Sequence, residues 1–304
     1  MSIAPEQAAN ERAAVGVIGL GLVGSALATR LFRAGYAVIG CDLQADTATA
    51  WAQQGGEVVP TPAAMATRCA HVVLAVFDTG GVLDVVEGPQ GLLAASDRTL
   101  PRLIVDCSTG DPDALRALSA RLASRGIDFI EAPLSGSSRQ IEAGEATMLV
   151  GAQPEALACH AALLDVLSPQ RLAIGGPGMG ARAKLATNLV LGLNRAAFAE
   201  GLVYAQSQGI APEVFLDLVL ATPARSDAAR IKGPLMVSEA WTPPQSRIAQ
   251  HLKDLRLMLA AATAAGQGLP LTQRHAALLQ AALDAGDGDL DNAAIVRQLR
   301  RERP

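Results

Sequence analysis

The segment spanning residues 15–43 constrains the fold of this chain more than any other stretch, because it predicts a complete βαβ unit. An apolar run of strand type at 15–18 leads into three glycines in the pattern G-x-G-x-x-G, namely Gly19, Gly21 and Gly24. Residues 25–34 then predict a helix that ends at Gly35, and residues 36–40 predict a second strand. A strand, a glycine turn and a helix in this order are typical of a dinucleotide-binding fold.

Each glycine of this motif has a distinct expected role. Gly19 allows the tight turn, Gly21 lets the backbone approach a pyrophosphate, and Gly24 lets helix and strand pack closely. The N–H groups at the start of the helix then face the phosphates.

Asp42 ends the second strand, 18 residues after Gly24. There its carboxylate would accept hydrogen bonds from the ribose hydroxyls and repel a 2′-phosphate. No arginine follows to bind that phosphate, so the sequence favours NAD over NADP. The alternative interpretation is that Asp42 is the N-cap of the next helix.

Composition limits the classes of protein to which the chain can belong. Its 304 residues suit two domains, half of them are hydrophobic, and the low aromatic content of 3% favours helix-rich packing. A net charge of −4 offers no basic surface to nucleic acid. The sequence shows neither an export signal nor a run of about 18 apolar residues that would span a membrane. The four cysteines are scattered and mostly lie in apolar runs, as in a reduced cytoplasmic protein.

Strand and helix patterns alternate from residue 15 to about residue 175, which predicts an α/β fold with a doubly wound parallel sheet of the Rossmann type. After that point the patterns are helical, beginning with a long apolar helix over 178–209. The predicted parts are a flexible tail (1–12), an NAD-binding domain (13–177) and a helical C-terminal domain for substrate and oligomerisation (178–304).

The long helix carries few charges on any face, and one small α/β domain cannot cover it. We therefore expect a homodimer or homotetramer that buries it between subunits. Residues 176–181, just ahead of this helix, also fit G-x-G-x-x-A, but no second strand follows them. We interpret them as a flexible helix entrance and not as a second cofactor site.

Two stretches carry candidate catalytic or binding groups. Lys184 and Asn188 lie four residues apart near the start of the long helix and share one face, where a lysine can take a proton from a substrate hydroxyl. The alternative is an exposed lysine with a surface asparagine. Ser135, Gly136 and Ser137 follow a predicted strand and either bind a substrate carboxylate or form an ordinary turn.

Other chemistry finds little support in the sequence. Lys253 and Asp254 could belong to a charged helix face. The four histidines form no ligand pair, and neither a P-loop nor a G-x-S-x-G motif is present, so no metal site is predicted.

Together with the glycine motif, four segments resemble the β-hydroxyacid dehydrogenases in order and spacing. They are DCST (106–109), APLSGS (132–137), KLATN (184–188) and KDL (253–255). The resemblance covers about residues 13–300. It implies a Rossmann domain with a helical C-terminal domain. It also implies an NAD(P)-dependent oxidoreductase, like 3-hydroxyisobutyrate dehydrogenase, that moves hydride between the nicotinamide and a small β-hydroxy acid or its semialdehyde.

The resemblance also implies residue roles. Lys184 becomes the catalytic acid/base, and the expected substrate-binding residues are Ser135, Gly136, Ser137 and Asn188. Motif and resemblance together give the expected cofactor-binding residues: Gly19, Gly21, Leu22, Val23, Gly24, Asp42, Val76, Phe77, Thr109 and Lys253.

The chain departs from the family pattern at five positions. Val23 replaces the commoner methionine, Ser137 the second glycine of S-G-G, Thr187 the first asparagine, Gln140 a usual glycine, and Ser246 a frequent phenylalanine. The substrate pocket is therefore expected to differ.

Two arginines, Arg139 and Arg247, lie in segments that resemble pocket-lining ones. They could add positive charge for a second carboxylate or for the hydroxyls of a four-carbon sugar acid. The alternative is that both point to solvent.

Two other functions stay open at the level of sequence. An imine reductase uses a similar fold, but that group usually lacks the lysine. A non-catalytic NAD-binding regulatory module is the other, because a fold does not fix a function.

Overall fold

A computed structural model describes residues 14–96 and 99–302 of the chain. Its residues group into two units, of which the first ends at Lys184 and the second begins at Leu185. The division falls inside the long helix, and the domain bounds expected from the sequence stay a prediction. The expected N-terminal tail lies outside the described residues.

The first unit is built on one sheet, which has nine strands within the described residues. The strands are β1 (Val15–Ile18), β2 (Val38–Cys41), β3 (Glu57–Val58), β4 (His71–Leu74), β5 (Leu103–Asp106), β6 (Asp128–Glu131), β7 (Leu134–Ser135), β8 (Thr147–Gly151) and β9 (Arg171–Gly175). Their order is β3-β2-β1-β4-β5-β6-β8-β7, with β9 beside β8.

The strand order reverses at β1. Val15 pairs with Val38 of β2 on one side and with His71 of β4 on the other, and both pairings are parallel. In open α/β sheets a ligand binds beyond the carboxyl ends of the strands at such a switch point. The sequence prediction of a Rossmann sheet is confirmed. The antiparallel pairing of β8 with β6 and β7, and the short strands β3 and β7, were not predicted.

Helices cover both faces of this sheet. They are α1 (Leu22–Arg33), α2 (Ala45–Gln53), α3 (Pro62–Ala66), α4 (Thr79–Glu87), α5 (Pro112–Ala123), α6 (Ser138–Ala143), α7 (Pro154–Cys159) and α8 (Ala161–Leu167). Val17 of β1 packs in the same buried cluster as Leu27 of α1. Ile18 packs in a second cluster with Val82 of α4 and Leu118 of α5. Burial on both faces explains why these strands are continuous apolar runs.

Two helix boundaries differ from the sequence prediction. Helix α1 begins at Leu22 and not at Ser25, because the Ser25 N–H already donates a helical hydrogen bond to the Gly21 carbonyl (2.9 Å). The sequence PEALACHAALLDVL over 154–167 predicts one helix, whereas the structure has two helices that part at His160. The His160 ring is held by Asp128 of β6, with Nε2 2.7 Å from Oδ2.

The second unit is helical within its described residues. The long helix α9 (Met179–Ser207) runs into it from the first unit, and α10 (Pro212–Ala221), α11 (Asp227–Ser238), α12 (Ile248–Ala264), α13 (Pro270–Asp284) and α14 (Ile295–Arg301) follow. Its core joins Phe198 and Leu202 of α9 to Leu252 and Leu255 of α12 and Leu279 of α13. No helix of residues 14–96 or 99–302 is long and apolar enough to cross a membrane.

Charged groups are also buried inside the second unit. Lys232 Nζ donates to both carboxylate oxygens of Asp291, at 2.9 and 2.8 Å. Burial lowers the pKa of the nearby Arg195 to about 10, while Asp291 opposes that shift. Asp291 therefore offsets part of the cost of burying two positive side chains.

Candidate functional site

The glycine loop between β1 and α1 has the geometry expected for a dinucleotide. Gly19 has a φ of +86°, and a Cβ there would overlap the Ala75 carbonyl oxygen. A Cβ on Gly24 would overlap the Gly19 carbonyl oxygen, so only glycine lets α1 pack this closely. A Cβ on Gly21 would meet no neighbouring atom within 4 Å, so there is open space beside its backbone.

The start of α1 carries no side-chain cap. Its first amide groups are therefore available to an anion, and the helix dipole favours negative charge there. An open glycine and an uncapped helix start fit the pyrophosphate of a dinucleotide, which Gly21, Leu22 and Val23 would hold.

Asp42 is bound to the glycine loop. Its Oδ2 accepts the Leu20 N–H at 2.6 Å, and its Oδ1 accepts the Gln44 N–H at 2.7 Å. The N-cap position of α2 belongs to Gln44, so the interpretation of Asp42 as the N-cap is wrong. The carboxylate lies at the end of β2, where the sequence places the ribose.

The ends of β4 and β5 are linked by side chains of the DCST segment. Asp106 Oδ1 accepts the Ser108 N–H (2.9 Å), and Ser108 Oγ accepts the Val76 N–H (3.0 Å). Thr109 is buried, whereas Phe77 is more than half exposed. Two of the expected cofactor residues, Val76 and Thr109, are thereby held at neighbouring strand ends.

The segment 135–137 turns sharply into α6. Gly136 has a φ of +155°, and a Cβ on it would lie 2.8 Å from the Ala146 Cβ. Ser137 is the N-cap of α6 and forms a capping box with Gln140, whose Oε1 accepts the Ser137 N–H at 2.9 Å. The S-x-x-Q spacing was a sequence signal for this cap. It also explains why Gln140 stands where the family usually has glycine.

Lys184 and Asn188 are both buried, with 9% and 8% exposure. Lys184 Nζ donates to the Leu134 carbonyl oxygen at 2.5 Å. Asn188 Nδ2 donates to Asp254 Oδ2 at 3.0 Å. The alternative of an exposed lysine with a surface asparagine is therefore wrong.

Asp254 connects two of the expected site residues of the second unit. Besides accepting from Asn188, it lies with Oδ1 3.0 Å from Lys253 Nζ, and both side chains of this ion pair are largely buried. The interpretation of Lys253 and Asp254 as a charged helix face is wrong. Asp254 was missing from the expected site residues, although the KDL segment contained it.

Glu131 is a second residue that sequence reasoning missed. It ends β6 with 1% exposure and accepts the N–H groups of Gly178 and of Ala181, the latter at 3.1 Å. Burial raises the pKa of Glu131 to about 7, against the opposing effect of these two amides. An acid at the end of the apolar strand DFIE was the available signal. The entrance of α9 is thus hydrogen-bonded to the sheet. The expectation of a flexible entrance is wrong.

The residues expected to enlarge or charge the substrate pocket are less buried than Lys184 and Asn188. Arg139 is exposed, and Arg247 is half exposed with Nε 3.8 Å from Asp289 Oδ1. Ser246 Oγ accepts a hydrogen bond from Asn292 Nδ2 at 3.0 Å. Among the residues that the structure describes, no group of three His, Cys, Asp or Glu side chains could hold a metal ion.

Family comparisons agree with this arrangement over almost the whole chain. Residues 14–175 match the family model described as the NAD binding domain of 6-phosphogluconate dehydrogenase. Residues 178–299 match the model described as NAD-binding of NADP-dependent 3-hydroxyisobutyrate dehydrogenase. The chain belongs to the β-hydroxyacid dehydrogenase family.

Two curated relatives match this β-hydroxyacid dehydrogenase over almost their whole length. The L-threonate dehydrogenase of Cupriavidus necator is 29% identical, covering 93% of this chain and 95% of the relative. The glyoxylate/succinic semialdehyde reductase 1 of Arabidopsis thaliana is 26% identical, covering 95% and 99%. A solved structure titled "Psf3 in complex with NADP+ and 2-OPP" has a TM-score of 0.84 at 25% identity, covering 94% of this chain and 99% of that one.

The family settles the class of reaction. This β-hydroxyacid dehydrogenase is an NAD(P)-dependent oxidoreductase that transfers hydride between the nicotinamide cofactor and a small hydroxy acid or the matching semialdehyde. The expectations of family, fold and reaction class from the sequence are confirmed.

Two glycine substitutions test the loop geometry. Gly24→Ala forces a methyl group against the Gly19 carbonyl and should lower the free energy of unfolding by about 1–3 kcal/mol. Gly21→Ala meets open space and should cost less than about 1 kcal/mol, yet weaken NAD(P) binding because its methyl group occupies the space for the pyrophosphate. Urea unfolding and titration calorimetry measure the two effects. A stable Gly24→Ala variant, or unchanged cofactor affinity in Gly21→Ala, would contradict this account.

Proposed function

We propose that this β-hydroxyacid dehydrogenase prefers NAD, uses Lys184 as its general acid/base and acts on a small, polar hydroxy acid. The observation that carries the proposal is Lys184 itself, a buried amino group hydrogen-bonded to the Leu134 carbonyl. A buried lysine whose amine is hydrogen-bonded to a backbone carbonyl has a defined direction, which proton transfer at a single carbon centre requires.

The proton and the hydride leave the substrate by separate routes. The nicotinamide, when bound, accepts hydride from the hydroxyl-bearing carbon or returns it. Lys184 Nζ takes the hydroxyl proton as an amine during oxidation and gives it back as an ammonium during reduction. Ser135, Gly136 and Ser137 bind the substrate carboxylate in this proposal, and Ser137 exchanges its hydrogen bonds to Gln140 for bonds to the substrate. Asn188 binds the substrate carboxylate or hydroxyl, and its amide is oriented by the bond to Asp254.

Removing the Lys184 amine tests the mechanism. Lys184→Ala should lower kcat by about 10²–10⁴-fold and leave NAD binding intact, because the pyrophosphate contacts lie in residues 19–24. Steady-state rates at 340 nm and titration of NAD measure the two quantities. Lys184→Arg keeps a positive charge but is a poor proton donor and should be equally inactive. Near-normal kcat in Lys184→Ala would refute the assignment.

Cofactor choice follows from Asp42. Its carboxylate is fixed beside the glycine loop by the N–H groups of Leu20 and Gln44, so it cannot readily turn away from a 2′-phosphate. We expect kcat/KM with NAD to exceed that with NADP by at least about tenfold, or about 1.4 kcal/mol. Asp42→Asn should reduce this ratio because the repulsive charge is lost. Equal or better kcat/KM with NADP in the unsubstituted enzyme would reject the preference.

The substrate class follows from polar groups near Ser246 and from one relative. Ser246 pairs with Asn292, a polar pair where the family often has phenylalanine, and the C. necator relative bears the name L-threonate dehydrogenase. Arg247 contacts Asp289 only at 3.8 Å, so its guanidinium keeps donors for another carboxylate or for hydroxyl groups.

A substrate panel separates the possibilities. We expect higher kcat/KM for threonate than for 3-hydroxyisobutyrate, glycerate or 4-hydroxybutyrate, and a loss of that advantage in Arg247→Ala. Arg230→Ala is the control, because Arg230 is an exposed arginine paired within its own helix. Highest kcat/KM for 3-hydroxyisobutyrate, unchanged in Arg247→Ala, would exclude the sugar-acid preference. No turnover of any hydroxy acid would favour a non-catalytic module.

Self-association is part of the proposal. The α9 side chains Val190 and Tyr204 are 56% and 66% exposed, and α10 has no buried residue although it carries Val214 and Leu218. Exposed apolar side chains favour an interface where they lie together, so these residues support the proposed self-association. We expect a homodimer or homotetramer by analytical ultracentrifugation and a shift toward monomer in Leu218→Glu. A stable monomer at about micromolar concentration would contradict it.

A further inference from the structure

A single short stretch, residues 131–134, holds the beginning of α9. The Glu131 carboxylate accepts the N–H groups of Gly178 and Ala181, and the Leu134 carbonyl accepts a hydrogen bond from Lys184 Nζ. These bonds join residues 47 to 50 positions apart in the chain. The location of the Lys184 side chain is therefore set by this stretch and not by the helix alone.

Taking the proposed role of Lys184 as the proton-transfer group, we propose that Glu131 is its positioning residue. The Glu131 carboxylate fixes the first turns of α9, and thereby the direction in which the Lys184 amine points. Glu131 itself touches neither substrate nor cofactor in this proposal.

Two hydrogen bonds constrain the helix more than one would. The two carboxylate oxygens bind separate amides, that of Gly178 just before α9 and that of Ala181 in its first turn. A single bond would let the helix pivot about it, whereas two fix both its distance from β6 and its rotation about its own axis. Lys184 lies three residues beyond Ala181, on the same side of the helix. Any rotation of the first turn therefore moves Nζ away from the Leu134 carbonyl.

The start of α9 packs closely against the backbone of β8 at Gly180. A Cβ on Gly180 would come within 2.8 Å of the Gly151 nitrogen and 2.9 Å of the Leu149 carbonyl oxygen. Gly151 of β8 is also the Cα partner of Glu131 in the sheet. The helix therefore meets β8 backbone to backbone, and the Glu131 side chain reaches the amides directly.

The charge on Glu131 changes close to neutral pH. Burial, together with the charge of Asp106, its partner on β5, raises its pKa to about 7, while the two amides and Arg182 of α9 oppose the shift. β8 presents the uncharged Gly151 at this point. Above about pH 7 the carboxylate accepts both bonds with full charge. Below it, protonation weakens them, so the hold on Lys184 should loosen as the pH falls.

Two substitutions of Glu131 test the proposal. Glu131→Gln keeps the shape but places an NH2 group against one of the amides, and kcat should fall by about 10- to 100-fold with KM and NAD affinity nearly unchanged. Glu131→Asp keeps the charge and should restore part of kcat. Measured in the direction of reduction, where Lys184 acts as an ammonium and its own deprotonation would lower kcat, a rise of kcat with pH through about 7 should be present in the unsubstituted enzyme and absent in Glu131→Gln. Amide hydrogen exchange over residues 176–186 should accelerate several-fold in Glu131→Gln.

The control is Ser226→Ala, which removes the N-cap of α11, where Ser226 Oγ accepts the Ala229 N–H at 3.1 Å. It should lower Tm without changing kcat or its pH profile. If Glu131→Gln changes kcat no more than Ser226→Ala at equal loss of Tm, or keeps the unsubstituted pH profile, the positioning role is refuted. If Glu131→Gln does not fold, the same comparison is made with Glu131→Asp.

The hydrogen-exchange measurement distinguishes a failure of this proposal from a failure of the proposed function. If Lys184→Ala stays active, the acid/base assignment fails whatever Glu131 does. Faster exchange in Glu131→Gln with unchanged kcat would show that the Glu131 hydrogen bonds hold the start of α9 but do not position a catalytic group. Unchanged exchange would refute the claim that Glu131 holds the start of α9.

Discussion

Amide groups at the start of a helix need acceptors, and the glycine-rich starts of α1 and α9 meet this need in opposite ways. Helix α1 has no side-chain cap, and the space beside Gly21 is open. At α9 the Glu131 carboxylate occupies the amides of Gly178 and Ala181. The first start is therefore available to a phosphate, while the second is closed by the protein. Similar glycine patterns thus give a binding loop in one place and a structural joint in the other.

Burial of polar groups explains how the remaining candidate residues are held. An unpaired polar group inside a protein costs free energy, so each buried one needs a partner. Lys184 has the Leu134 carbonyl, and Asn188 has Asp254, which also lies against Lys253. These partners fix the direction of each side chain, which in the proposed mechanism would lower the cost of organising the reaction.

The sequence predicted the parts of this structure that depend on neighbours in the chain. Gly19, Gly21 and Gly24 follow one another within a single turn, so their spacing alone indicated the loop. Glu131 and Asp254 could not be found this way, because their partners lie 47 and 66 positions away. The antiparallel pairing of β8 with β6 and β7 could not be predicted for the same reason, since pairing direction depends on residues far apart. Ser137 differs, because its S-x-x-Q cap was local and readable.

Substrate choice depends least on the backbone contacts described above. The glycine loop and the start of α9 depend on backbone contacts that few side chains can satisfy, so they indicate the family and its reaction. Ser246 and Asn292 instead form one side-chain pair at the edge of α12, joined by a hydrogen bond of 3.0 Å. Exchanging such a pair would alter the local polarity and leave the helices in place. Membership of the family therefore fixes the hydride chemistry, whereas in the proposed function side-chain pairs of this kind determine which hydroxy acid is bound.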